Sequence, residues 1–94
     1  MNNREMINFF KENYKKNGTL YDLAIKFQKK FFFRVSYDYD EAFRNCFLYI
    51  VMLCNLDLGI NIRDEAQALT SAQLFQKIAR RLYDYSFKYI MEIE

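Results

Sequence analysis

The sequence predicts an all-α fold: a compact bundle of four main helices, with room for one further short helix near 62–69. Three observations point there. Proline is absent, and glycine occurs only at Gly18 and Gly59, each placed where an apolar helical pattern breaks off. Apolar residues recur with a period near 3.6 through most of the chain. Residues able to cap a helix stand three positions ahead of a carboxylate or amide at Asn2–Glu5, Thr19–Asp22, Asp38–Glu41 and Thr70–Gln73. Only Thr70–Gln73 has the strict capping-box form, a hydroxyl followed by Glu or Gln.

The first helix, read at 3–17, places Met6, Ile7, Phe10 and Tyr14 on one face and Arg4, Asn8, Lys11 and Lys15 opposite. The second, 20–33, has a stripe of Leu20, Ala24, Phe27 and Phe31 with Lys26 and Lys29 behind it. Phe31 to Tyr39, FFFRVSYDY, alternates well enough to pass for a strand, but a lone strand has no pairing partner elsewhere in the chain. It is therefore read as a helix end plus a loop. The third helix, 39–58, comes next, followed by a connector at 60–69 that can hold a short helix after Asn61. The fourth main helix, 71–92, buries Phe75, Ile78, Leu82, Ser86, Tyr89 and Ile93. Its outer face carries Lys77, Arg81, Asp84 and Lys88, with Asp84 and Lys88 spaced to pair.

The third helix breaks the amphipathic rule. Cys46 to Cys54, CFLYIVMLC, has no polar residue for more than two turns. Ala42, Phe43, Cys46, Ile50, Leu53 and Cys54 make an ordinary core face. Across from them lie Leu48, Val51 and Met52, an apolar back that a solvated helix would not have.

Length and composition fit a single helical domain, 1–94. Ordering 94 residues costs on the order of 100 kcal/mol of conformational entropy, so most of the apolar surface must be used. Hydrophobic content is 52%, and the excess lies in ten Phe and eight Tyr. No secretory signal is recognisable, and the longest apolar run is far short of the roughly 20 residues of a membrane span. The expectation is a cytoplasmic protein. Cys46 and Cys54 would lie about 12 Å apart along one helix, too far to form a disulfide with each other. They read as small buried apolar groups.

Catalytic groups are scarce. The chain has no His, no Cys pair at metal-binding spacing, no glycine-rich phosphate loop and no nucleophile elbow. Ser36, Ser71 and Ser86 each have a cap, loop or packing explanation. Asp38, Asp40 and Glu41 read as a helix N-terminus, where carboxylates cap free amides, rather than as an acid/base or metal cluster. No enzyme activity, cofactor, metal or small-molecule substrate is expected.

Charge is uneven. Residues 1–34 hold eight Lys/Arg against three Asp/Glu, and residues 35–70 hold two against six. Arg4, Lys11, Lys15, Lys26, Lys29, Lys30 and Arg34 make a candidate nucleic-acid face, with Tyr21, Tyr37 and Tyr39 available to stack on bases. Against this, Lys15, Lys29 and Lys30 stand in last turns of helices, where the dipole favours cations, and the whole chain carries only +2.

The preferred reading is a small non-enzymatic protein-interaction module, a homodimer or a regulator or inhibitor of a larger partner, with nucleic-acid binding as the alternative. Its interface candidates are Leu48, Val51 and Met52, joined by Tyr83 and Phe87, because aromatics and Met are enriched in interface cores. Abundant Asn, Lys, Ile, Phe and Tyr point to an AT-rich genome. In size and style the chain resembles, in a general way, the small helical accessory proteins of phages and mobile elements, with no motif behind the likeness.

Overall fold

A computed structural model describes residues 3–93, with side chains described through residue 89. Five helices form in chain order: α1 (Asn3–Asn13), α2 (Leu20–Phe31), α3 (Tyr39–Leu53), α4 (Ile62–Ala68) and α5 (Ser71–Ile93). Among the described residues there is no strand, so the all-α expectation holds. The capping role read for Asn2 and the burial read for Ile93 fall outside the described residues or side chains.

The helix starts follow local chemistry. The Thr19 hydroxyl accepts from the Asp22 amide at 3.1 Å, and the Asp22 carboxylate accepts from the Thr19 amide at 3.0 Å, closing a capping box on α2. Asp38 caps α3 by accepting from the Glu41 amide at 2.9 Å. Asn61 caps α4 through the Asp64 amide at 3.3 Å. Thr70 and Gln73 exchange both bonds at the start of α5, at 3.3 and 2.9 Å. Each pairing satisfies amide hydrogens that the first helical turn leaves without partners.

Three helices end earlier than their sequence pattern does. α1 stops at Asn13 rather than 17, because Lys15 turns left-handed at φ 66° well before Gly18. α2 stops at Phe31 rather than 33, where Phe32 becomes extended and its amide closes the helix on the Gln28 carbonyl at 2.7 Å. α3 stops at Leu53 rather than 58. Beyond it Leu56, Leu58 and Ile60 are half-buried against the core while Asn55, Asp57, Gly59 and Asn61 are exposed. That alternation belongs to an extended chain, not a helix. Gly59 supplies the turn at φ 67°, and its amide donates to the Asp57 carboxylate at 3.1 Å.

α5 is the central post. α1, α3 and α4 pack on it, and α2 packs on α3. Aromatic rings close the circuit between α1 and α2, with Phe9 and Phe10 5.5 and 5.4 Å from Phe27. Phe75 of α5 sits 6.3 Å from Phe10 and 5.8 Å from Phe43. Such pairs contribute about 0.5–1.5 kcal/mol each beyond the area they bury. The buried set includes Met6, Ile7, Leu23, Ala24, Ala42, Cys46, Ile50, Leu74, Ile78, Ala79 and Leu82.

Several core assignments shift. The α2 stripe is rotated, so Leu23 and Gln28 are buried while Leu20 and Phe31 are only half covered. Leu53, read as core, is 37% exposed because it is the last residue of its helix. Asp84 pairs with Arg80 at 3.2 Å, one turn towards the N-terminus. Buried Ser86 is satisfied locally, its hydroxyl donating to the Tyr83 carbonyl at 2.6 Å.

Candidate functional site

Residues 32–38 link α2 to α3, and one buried side chain fixes their path. The Gln28 amide donates to the Ser36 carbonyl at 3.2 Å and accepts from the Ser36 amide at 3.1 Å. This two-point clasp gives Gln28, wholly buried, the partners it needs. The Ser36 hydroxyl continues the chain of bonds to Glu41 at 3.0 Å. With Phe32 turned inward against Tyr49, ring centres 4.6 Å apart, Phe33 is left pointing outward.

The result is an open groove between the end of α2 and the outer side of α3. Phe31, Phe32, Phe33 and Arg34 form one wall; Asn45, Leu48, Tyr49 and Met52 form the other. Phe33 is 100% exposed, Met52 79% and Leu48 48%. Scattered apolar residues are normal on a protein surface, but three large ones lining a single groove form a patch.

The five residues read as an interface therefore separate. Leu48 and Met52 lie in this groove. Val51 does not: it is half-buried on the other flank of α3, in a pocket with Cys54, Leu56, Leu58, Ile60 and Ile62. The 54–61 connector covers it, which corrects the grouping of Val51 with Leu48 and Met52. Tyr83 and Phe87 lie on the α1–α5 flank, where Tyr83 is 5.2 Å from Tyr14 and 5.2 Å from Phe87.

The seven basic candidates have different neighbours. Lys11 lies 5.9 Å over Phe87 and Lys15 4.9 Å over Tyr83, on the α1–α5 flank. Lys26 joins Lys15 at the α1–α2 turn, beside Asp22. Lys30 stands 5.9 Å over Phe9 and 5.5 Å over Phe31. Arg34 lines the apolar groove, and Arg4 and Lys29 are exposed.

Tyr21, Tyr37 and Tyr39, the residues read as base-stackers, lie beside the acidic start of α3. Tyr21 donates its hydroxyl to the Tyr37 carbonyl and packs 4.0 Å from Tyr39. Partial desolvation raises the Tyr21 pKa, helped by Tyr39 and Tyr37 and by the charges of Asp38 and Asp22. Asp38 caps α3 and Asp40 and Glu41 stand in its first turn, with Asp38 and Glu41 in hydrogen bonds that order it. Among the described residues no three His, Cys, Asp or Glu side chains gather in a way that could hold a metal ion.

Both cysteines are free thiols. Burial pushes Cys46 up to about 12, and its sulfur donates to the Ala24 carbonyl at 3.5 Å. Cys54 is raised by partial burial under the connector. Neither is poised as a nucleophile, because the reactive form is the thiolate.

Phe33 and Gln28 escaped the sequence reading. A signal for Phe33 existed: three consecutive Phe at a helix end span about 200° of the wheel, so all three cannot face one core. Nothing local marks Gln28, whose partner lies eight residues on. No helix among the described residues is long and apolar enough to cross a membrane. Comparison with known protein families, with curated proteins and with solved structures finds no match.

Proposed function

We propose that the chain is a small non-enzymatic protein-interaction module of the cytosol, which regulates or inhibits a larger partner or pairs with its own copy through the α2–α3 groove. The observation that carries this reading is the grouping of Phe33, Leu48 and Met52 in one open groove. A side chain as exposed as Phe33 adds nothing to the hydrophobic stability of the monomer. Removing a large apolar side chain from water on binding is worth about 1.5–3 kcal/mol, so three of them supply a useful part of an association energy. Two cysteines in 94 residues, with no disulfide framework, support a reducing compartment. The AT-rich residue usage supports a phage or mobile-element origin.

The test is a paired affinity capture from cells of the source organism, using the wild type and a Phe33→Ser/Met52→Ser variant with matched circular dichroism and thermal midpoint. The expected outcome is a protein retained by the wild type and lost by the variant. Identical captured sets would sink the reading.

A further inference from the structure

Resting on that reading, we propose that the segment seated in the groove belongs to a different molecule and carries carboxylates beside its apolar anchors. The chain selects acidic amphipathic partners over copies of itself. Arg34 is the one charged residue lining the groove. Arg44 is exposed on α3 one turn before Leu48. Lys30 stands over Phe31 at 5.5 Å on the α2 wall. On the same side of α3, Asp40 and Glu41 precede Arg44 by about one turn, so the positive charge at the groove rests on Arg34; Glu41 lies about 10 Å along the helix from Leu48 and accepts from the Ser36 hydroxyl at 3.0 Å.

Self-pairing meets an electrostatic difficulty. A two-fold contact places the same patch on both sides, so a lining without carboxylates would face another like it. Like charges brought together across an interface oppose binding, whereas a partner carboxylate near Arg34 gains a planar, charge-assisted pairing. The groove thus selects by sign as well as by apolarity. Its geometry suits an amphipathic segment whose apolar side chains enter between Phe33 and Met52 while its acidic edge lies against Arg34.

The probe is a display library of random peptides of about 12 residues, selected on the full chain and counter-selected on its Phe33→Ser variant. Phe33 and Arg34 are exposed, so variants there keep the fold. The expected winners combine aromatic or aliphatic residues with an excess of Asp and Glu. Arg34→Glu/Arg44→Glu should weaken them about tenfold or more by fluorescence anisotropy, and should favour versions in which Lys replaces each acidic residue. Neutral or basic winners that depend on Phe33 but not on Arg34 would overturn the charge inference and leave the docking reading standing. Absence of any Phe33-dependent peptide would overturn both. Sedimentation that shows self-association abolished by Phe33→Ser would make a second copy the occupant and overturn the choice of partner.

Discussion

Two apolar grooves flank α3, and the chain fills only one. On one side Val51 and Cys54 lie under the connector, whose Leu56, Leu58 and Ile60 point in at every second residue. On the other side Leu48 and Met52 face Phe33 across open solvent. Both linings are largely apolar, and the larger difference is supply. Eight residues of extended chain between α3 and α4 cover the first groove. The loop before α3 instead carries Phe33 away from the core, because Gln28 holds it at Ser36. An apolar helix back is therefore no measure of a partner until the chain's own connectors have been placed against it.

The comparison can be broken or sharpened by mutation, beginning with the largest effect. Ile50 belongs to both the core and the covered groove, so Ile50→Ala should cost about 2–5 kcal/mol in urea unfolding. A loss below about 1 kcal/mol would mean that α3 does not anchor the core as described. Next, Leu58→Ser opens the covered groove and removes about 1–2 kcal/mol, given its half-burial. The same change should speed alkylation of Cys54 while leaving Cys46 protected. Equal rates before and after would show that the connector is not a cover.

Gln28→Ala removes the clasp and leaves both Ser36 backbone groups to find water. A loss of about 1–3 kcal/mol is expected, with faster hydrogen exchange across 32–38. Slow exchange in the variant would show that the loop holds its path without Gln28. The smallest effect concerns the α2 cap. Hydrogen bonds from the Thr19 amide and hydroxyl hold the Asp22 pKa below its ordinary value of 3.8. A lowered folded pKa contributes stability present above the unfolded value and lost as pH falls through the folded one. Stability should therefore drop slightly below about pH 4, and Asp22→Asn should flatten that slope in urea midpoints taken between pH 5 and about 2.5.

What was legible in the sequence was local. Capping pairs such as Thr19–Asp22 and Thr70–Gln73 act across three residues, and they located the helix starts. The ends were set by less local events. A left-handed Lys15 ends α1 where glycine was the expected stop, and the Gln28–Ser36 clasp ends α2 from a distance. The alternation from Cys54 to Ile62 was present in the residues, but the apolar run before it reads as one continuing helix. Periodicity alone therefore groups Val51 with Leu48 and Met52, which share its side of the helical wheel. Of the groove, Leu48 and Met52 could be read from periodicity. Phe33 depended on a loop path that no pattern encodes.

One pair of variants tests the division of α3 most directly: Val51→Lys and Met52→Lys, neighbours in sequence, compared by urea midpoint. If the connector seals one flank and the other is open, Met52→Lys stays within about 0.5 kcal/mol of wild type while Val51→Lys costs more than about 2 kcal/mol. Equal, severe destabilisation by both would mean that Met52 lies in the core, and that there is no free groove for a partner to fill.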